Sequence, residues 1–355
     1  MNLSELINRR LVNQQIAATK FKKPQDVVAW MGAVQAQDFG MAKWAIGLRV
    51  AGLKDADVEK AFNEGKILRT HVLRPTWHFV MPEDIRWMLA LTAPHIFRLL
   101  AYNDRMAGLS KKILTKANDV LAKALQGGNQ FTRDELRSAL QKEKIVVNDM
   151  GFTHVMIHAE LDGIVCSGPR KGKQFTYALL DERTPNTKTL NHEEALAALT
   201  KRYFTSHGPA ALQDFAWWSG LSMTNVRKGI DMVMRDLKKE IIDGKEYFFK
   251  PMSVKEAQGQ TVYLLPNYDE YTVAYQDRAI LFNKNHSTVV TTRGNAIFNN
   301  TILINGKVEG TWKRTIKNNS VVVETKPFRP FSKAKQRAVT KAAKKYSEFV
   351  SKGSE

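Results

Sequence analysis

The chain has 355 residues, 54 of them Lys or Arg against 35 Asp or Glu, giving a formal net charge of +19 and a pI near 9.8. With 43% hydrophobic and 25% charged residues it is no disordered basic tail, and its single cysteine, Cys166, excludes an intramolecular disulfide and argues against a cysteine-based zinc site. The N-terminus MNLSELINRR lacks an apolar signal core and no run of about 18 apolar residues occurs, so a cytoplasmic protein with no membrane contact is expected, and its charge calls for a polyanionic partner, most simply nucleic acid.

The first elements are helical. Leu3, Leu6 and Ile7 recur at helix spacing, and Pro24-Gln25-Asp26 makes a good first turn ahead of Val27, Val28, Met31 and Val34. A short helix holding Lys60, Ala61 and Phe62 ends at Gly65. Residues 67–80, ILRTHVLRPTWHFV, read as strand or hairpin with Pro75 at an edge, and Pro82-Glu83-Asp84 opens a helix carrying Trp87, Met88 and Leu91. A second unit begins near residue 95. Thr132 caps a helix in FTRDELRSAL, a further helix runs from about Phe152 to Leu161 and stops at Gly163, and IVCSGPRKGKQFTYALL reads strand, turn, strand. Helix, helix and two strands around a basic turn is the order of a winged helix, with residues 168–173 as the wing.

A third unit repeats that order. Helices are expected over Glu193–Ser206, Ala211–Trp218 and Thr224–Ile241, the last with Val226, Ile230, Val233, Leu237 and Ile241 on one stripe. Asp243-Gly244 then turns tightly into the strand KEYFF. From about residue 261 apolar and polar residues alternate, with a hairpin signal at Asn305-Gly306, and a helix closes the chain from about Lys333 to Ser351. Eight basic residues and no acidic one lie between Lys326 and Lys345. The expected fold is α+β: tandem winged-helix domains over 1–93, 94–188 and 189–255, then a small antiparallel β-barrel with a basic C-terminal helix over 256–355.

Phosphate-loop, dinucleotide-binding, zinc-protease and nucleophile-elbow motifs are absent. His154 and His158 share one helix face but have no third ligand nearby in sequence, so no metal is expected. Two elements stand out. In Gln35-Ala36-Gln37-Asp38, extended backbone would aim both amides at one site. A carboxamide is no general base, but it can hold a water or a base edge; the alternative is a pair of glutamines capping a helix. In Arg74-Pro75-Thr76-Trp77-His78, a strand would place Thr76 and His78 on one face, to orient a water or contact phosphate, or simply to meet solvent.

Four segments in order, AVQAQDFGMAKWAIGLRV, ILRTHVLRPTWHFVMPEDI, LLPNYDEYTVAYQDR and NGKVEGTWKR, resemble the AlkZ/YcaQ-like winged-helix DNA glycosylase family over nearly the whole chain. The resemblance implies a monofunctional glycosylase that removes N7-alkylated purines from double-stranded DNA, some members unhooking interstrand crosslinks. It places the catalytic motif on Gln35 and Gln37, with the small Ala36 between them, and the family's Thr-x-His element on Thr76 and His78; Asp38 is the nearest carboxylate. It also implies a hairpin entering the minor groove, placed at about 284–302. Arg74, Arg170, Lys171, Lys173, Lys333, Lys335, Arg337 and Lys341 are the expected DNA contacts. No cofactor, a monomeric state and association with the nucleoid are expected.

Amides alone make chemical sense for that substrate. An N7-alkylated purine is already cationic and departs neutral, so little acid catalysis is required. The site must mainly place a water at C1′ and stabilise an oxocarbenium-like sugar. The main alternative is a non-catalytic winged-helix regulator, because fold does not fix function; a basic RNA-binding protein is a weaker one.

Overall fold

A computed structural model describes residues 1–185, 187–253, 259–282, 299–317 and 320–351. The chain divides into two compact units: Met1–Lys60, Ala197–Trp218 and Ser222–Glu355 form the first, and Ala61–Leu196 with Ser219–Leu221 the second. No helix among the described residues is long and apolar enough to cross a membrane.

The chain opens with α1 (Leu3–Asn13), α2 (Pro24–Met31), β1 (Ala33–Gln35), α3 (Phe39–Leu48) and α4 (Asp55–Asn63). Asn2 and Glu5 close a capping box on α1, and Pro24 takes the first position of α2. Helix α3 is apolar nearly all round and is therefore buried. Its one charge, Lys43, is buried as well and lies 2.6 Å from both Asp55 and Glu59 on α4.

The middle of the chain holds β2 (Leu68–Val72), β3 (Thr76–Val80), α5 (Ile85–Met106), α6 (Lys111–Leu125), β4 (Phe131–Thr132), α7 (Arg133–Lys142) and α8 (Asp149–Leu161). Next come β5 (Val165–Ser167), β6 (Thr176–Leu179), α9 (Leu180–Arg183) and α10 (His192–Ser206). Strands β2 and β3 pair antiparallel with Leu68 opposite Val80, and β4, β6 and β5 form a small sheet in that order. Leu121, Leu136, Phe152 and Val155 centre the core of this unit. Helix α5 continues through Pro94. Cys166 sits on β5 with no exposed surface, and burial pushes its thiol up to about 12.

The remaining elements are α11 (Leu212–Ser219), α12 (Met223–Val233), β7 (Lys238–Ile242), β8 (Lys245–Phe249), β9 (Val262–Leu265), α13 (Glu270–Val273), β10 (Thr301–Ile304), β11 (Lys307–Lys317), β12 (Ser320–Pro327) and α14 (Lys333–Val350). Here the expected helix over 224–241 is corrected. It stops at Val233, and residues 238–242 are a strand paired with β8, Lys238 opposite Phe249 and Ile242 opposite Lys245. The Asp243-Gly244 turn, with both residues at positive φ, needs a strand on each side, and Ile241 faces out at 65% exposure.

Strands β9 to β12 form a meander in the order β12-β11-β10-β9. Among the described residues this sheet stays open and the expected barrel is not found; four strands are too few to curl shut. Ile7 and Leu11 of α1 pack on it with Leu265, Leu303 and Val308. Helix α14 buries Val339, Ala342, Tyr346 and Phe349, the last ring 5.1 Å from that of Trp44. The expected minor-groove hairpin at about 284–302 lies mostly outside the described residues.

Asn305-Gly306 joins β10 to β11 with φ of 49° and 76°, as the sequence implies. A Cβ at Gly306 would sit 2.1 Å from Ile7 Cγ2. Backbone and packing both require glycine there. Gly306→Ala should cost about 1–3 kcal/mol, read as a lower urea midpoint at unchanged slope.

Candidate active site

Strand β1 ends at Gln35 and α3 begins at Phe39, so Ala36, Gln37 and Asp38 form the link. Asp38, and neither glutamine, caps the helix: its Oδ1 accepts the Met41 N–H at 3.1 Å. Its Oδ2 accepts a weak bond from Asn267 Nδ2 at 3.4 Å. Gln35 is buried, Ala36 has no exposed surface, and Gln37 is exposed. A larger side chain at position 36 would have to displace packed neighbours.

A buried acid pair lies beneath this link. The Gln35 backbone N–H donates to Glu270 Oε1 at 2.7 Å, although 235 residues separate them. Glu270 Oε2 accepts the Trp218 indole N–H at 2.9 Å and stands 3.5 Å from His207 Nε2. Next to it, Asp269 receives two 2.8 Å bonds from the Arg49 guanidinium. Burial works against the charge on Arg49, yet Asp269 outweighs it and holds the guanidinium above its ordinary range. Asn267, just upstream, donates its backbone N–H to Asn300 Oδ1 at 2.8 Å. Arg314 of β11 donates to the Tyr346 hydroxyl at 2.6 Å, and a Cβ on Gly40 would meet its Nη2 at 2.8 Å. The first unit thus gathers three of the four segments that carry the resemblance around Gln35–Gly40. Sequence reasoning gave Asn267, Asp269, Glu270 and Arg314 no role. The available signal was an acid pair set in an otherwise apolar stretch, LLPNYDEYTV.

The other singled-out residues of the N-terminal half lie in the second unit. Thr76 and His78 occupy alternate positions of β3. His78 is wholly buried rather than facing solvent, with Nδ1 2.9 Å from the Thr76 carbonyl oxygen. On the intervening residue, the Trp77 ring lies under the Arg69 guanidinium at 4.1 Å and beside His71 at 4.6 Å. Arg74 is half-buried in the turn between β2 and β3. In the loop between β5 and β6, Arg170 donates to the Lys173 carbonyl at 2.5 Å and lies 4.9 Å over Phe175. Lys171 is 3.3 Å from Glu135, and Lys173 is exposed. His154 and His158 both bond to Asp104, at 2.6 and 2.9 Å, so one carboxylate ties the pair together.

On α14, in the first unit, Lys333, Arg337 and Lys341 are exposed, while Lys335 reaches Glu309 at 3.2 Å.

A model of the AlkZ-like family, described as DNA glycosylase AlkZ-like, matches residues 28–349. The chain belongs to this DNA glycosylase family. An interstrand DNA cross-link repair glycosylase of Streptomyces sahachiroi is 25% identical over 334 residues, spanning 90% of this chain and 88% of the relative. The solved structure of the DNA glycosylase AlkZ of Streptomyces sahachiroi superposes with a TM-score of 0.82, covering 99% of this chain and 98% of that one at 22% identity. As an AlkZ-like glycosylase the chain is an enzyme and acts on DNA.

The Arg49–Asp269 pair fixes the loop that carries Glu270. Arg49→Ala leaves Asp269 buried and unpaired, and should cost about 3–5 kcal/mol in equilibrium unfolding.

Proposed function

We propose that this glycosylase hydrolyses the N-glycosidic bond of N7-alkylated purines in double-stranded DNA and unhooks interstrand crosslinks joined through such purines. The observation that carries the reading is the division of labour at the β1–α3 link. Asp38 is committed to the helix cap, which leaves amides and no uncommitted carboxylate on the Gln35–Asp38 stretch. Gln35 is clamped through its backbone while the exposed Gln37 can reach a substrate. We assign to these amides the water that attacks C1′ and part of the stabilisation of the sugar cation. Asp38 supports them by setting where α3 begins. The supporting roles of Thr76 and His78 rest on the sequence resemblance alone.

The basic residues hold the duplex. Lys173, Lys333, Arg337 and Lys341 are exposed and suited to phosphate contacts; Lys171 and Lys335 would exchange their carboxylate partners for phosphate, and Arg170 and Arg74 complete the set of proposed contacts. Segment 94–188 runs from the end of α5 through α6, β4, α7 and α8 to β5 and β6, segment 189–255 runs through α10, α11 and α12 to the β7–β8 hairpin, and the winged-helix assignment of 1–93, 94–188 and 189–255 is part of this proposal. So are a monomeric state and a place at the nucleoid.

Gln37→Ala should abolish release of 7-methylguanine from duplex DNA while the protein still binds the duplex; full release would remove Gln37 from the mechanism. Charge reversal at Lys333, Arg337 and Lys341 should flatten the dependence of log affinity on log salt by about 0.9 for each phosphate no longer neutralised. An unchanged slope would place the DNA elsewhere.

A further inference from the structure

Five charged side chains lie buried together in the first unit: Arg10, Arg49, Asp214, Asp269 and Glu270, each no more than 1% exposed. Arg49 is matched by Asp269 through two hydrogen bonds, and Arg10 lies 3.7 Å from Asp214. Glu270 is the third carboxylate against two cations. Each of its oxygens faces an obligate donor, the Gln35 backbone N–H on Oε1 and the Trp218 indole N–H on Oε2. Hydrogen bonds donated to a carboxylate stabilise its charge, so this pair of N–H donors favours the ionised form. His207, 3.5 Å away, does not cancel the charge: burial depresses its basicity further than Glu270 raises it, and the ring stays neutral. The cluster therefore carries one excess negative charge, and that charge sits on the backbone of Gln35.

We propose that Glu270 is an electrostatic positioning residue of the glycosylase reaction, fixing Gln35 and adding a fixed negative charge behind the site where the sugar becomes cationic. The proposal rests on the assignment of Gln35 and Gln37 to the reaction. On the Gln35–Asp38 stretch the carboxylate of Asp38 is committed to the cap of α3, and the two amides that remain stabilise a cation less than a full charge does. A carboxylate one hydrogen bond behind the link supplies that charge without standing where it could attack C1′. Buried away from water, its field is weakly screened, and it requires no reorganisation as the bond breaks.

Glu270→Gln alone is a poor test. The new amide could satisfy Gln35 but would turn its NH₂ toward the Trp218 indole N–H, a clash of donors. Trp218→Phe removes that indole donor and serves as the reference. Glu270→Gln in the Trp218→Phe background then keeps an acceptor for the Gln35 N–H, lets neutral His207 accept from the amide, and removes only the charge. The measurements are the single-turnover rate of 7-methylguanine release, duplex affinity and thermal unfolding.

Relative to Trp218→Phe, the double variant should lose about tenfold to a hundredfold in rate, with affinity and melting midpoint held. Equal rates in the two overturn the proposal. A rate loss that tracks a lowered folded fraction also overturns it, in favour of a purely architectural role. If the double variant does not fold, Glu270→Asp takes its place, charged but one methylene short. Release above the Glu270→Ala level then supports the charge, and release at that level overturns it. No release by the wild-type protein, or full release by Gln37→Ala, would instead refute the parent assignment.

Discussion

The buried pair Asp269-Glu270 is the constraint on which the candidate site depends. Two adjacent carboxylates cannot be buried without partners, and each recruits a different part of the first unit. Asp269 takes the guanidinium of Arg49 from the end of α3, and Glu270 takes the N–H of Gln35 from the end of β1. The two ends of the segment that holds the glutamines are thereby tied to one short loop. Tyr271, the next residue, donates its hydroxyl hydrogen to the Gly306 carbonyl at 3.0 Å and so joins the same loop to the β10–β11 turn.

Local signals in the sequence carried well. Pro24, Thr132 and Asn305-Gly306 each act where their chemistry places them, because capping and turn formation involve only residues a few positions apart. The stripe over 224–241 misled because Leu237, just before the strand Lys238–Ile242, and Ile241 within it happen to extend a helical spacing past Val233. Pairing with β8 decides the matter, and pairing is not a property of the stripe. Among the described residues the barrel is not found for a related reason: alternation reveals strands, but closure depends on their number and stagger.

The candidate site was legible only in part. Gln35, Gln37 and Asp38 could be singled out as a polar cluster after a helix, but their support could not. Glu270 lies 235 residues from Gln35, and nothing in either segment alone names the other. Resemblance kept the segments in order without saying why they occur together. Charge shows the same limit: sequence counts Lys171 and Lys335 with the free cations of the basic surface, whereas each has an acid beside it, Glu135 and Glu309.

The placement of Cys166 has a consequence for an enzyme of this kind. Electrophiles that alkylate purines also attack protein nucleophiles, and a thiolate is the most reactive of these. The only thiol in the chain is sealed inside β5 and stays protonated at any physiological pH. On the proposed alkylpurine reading, an agent that creates the substrate would meet no exposed thiol on this enzyme.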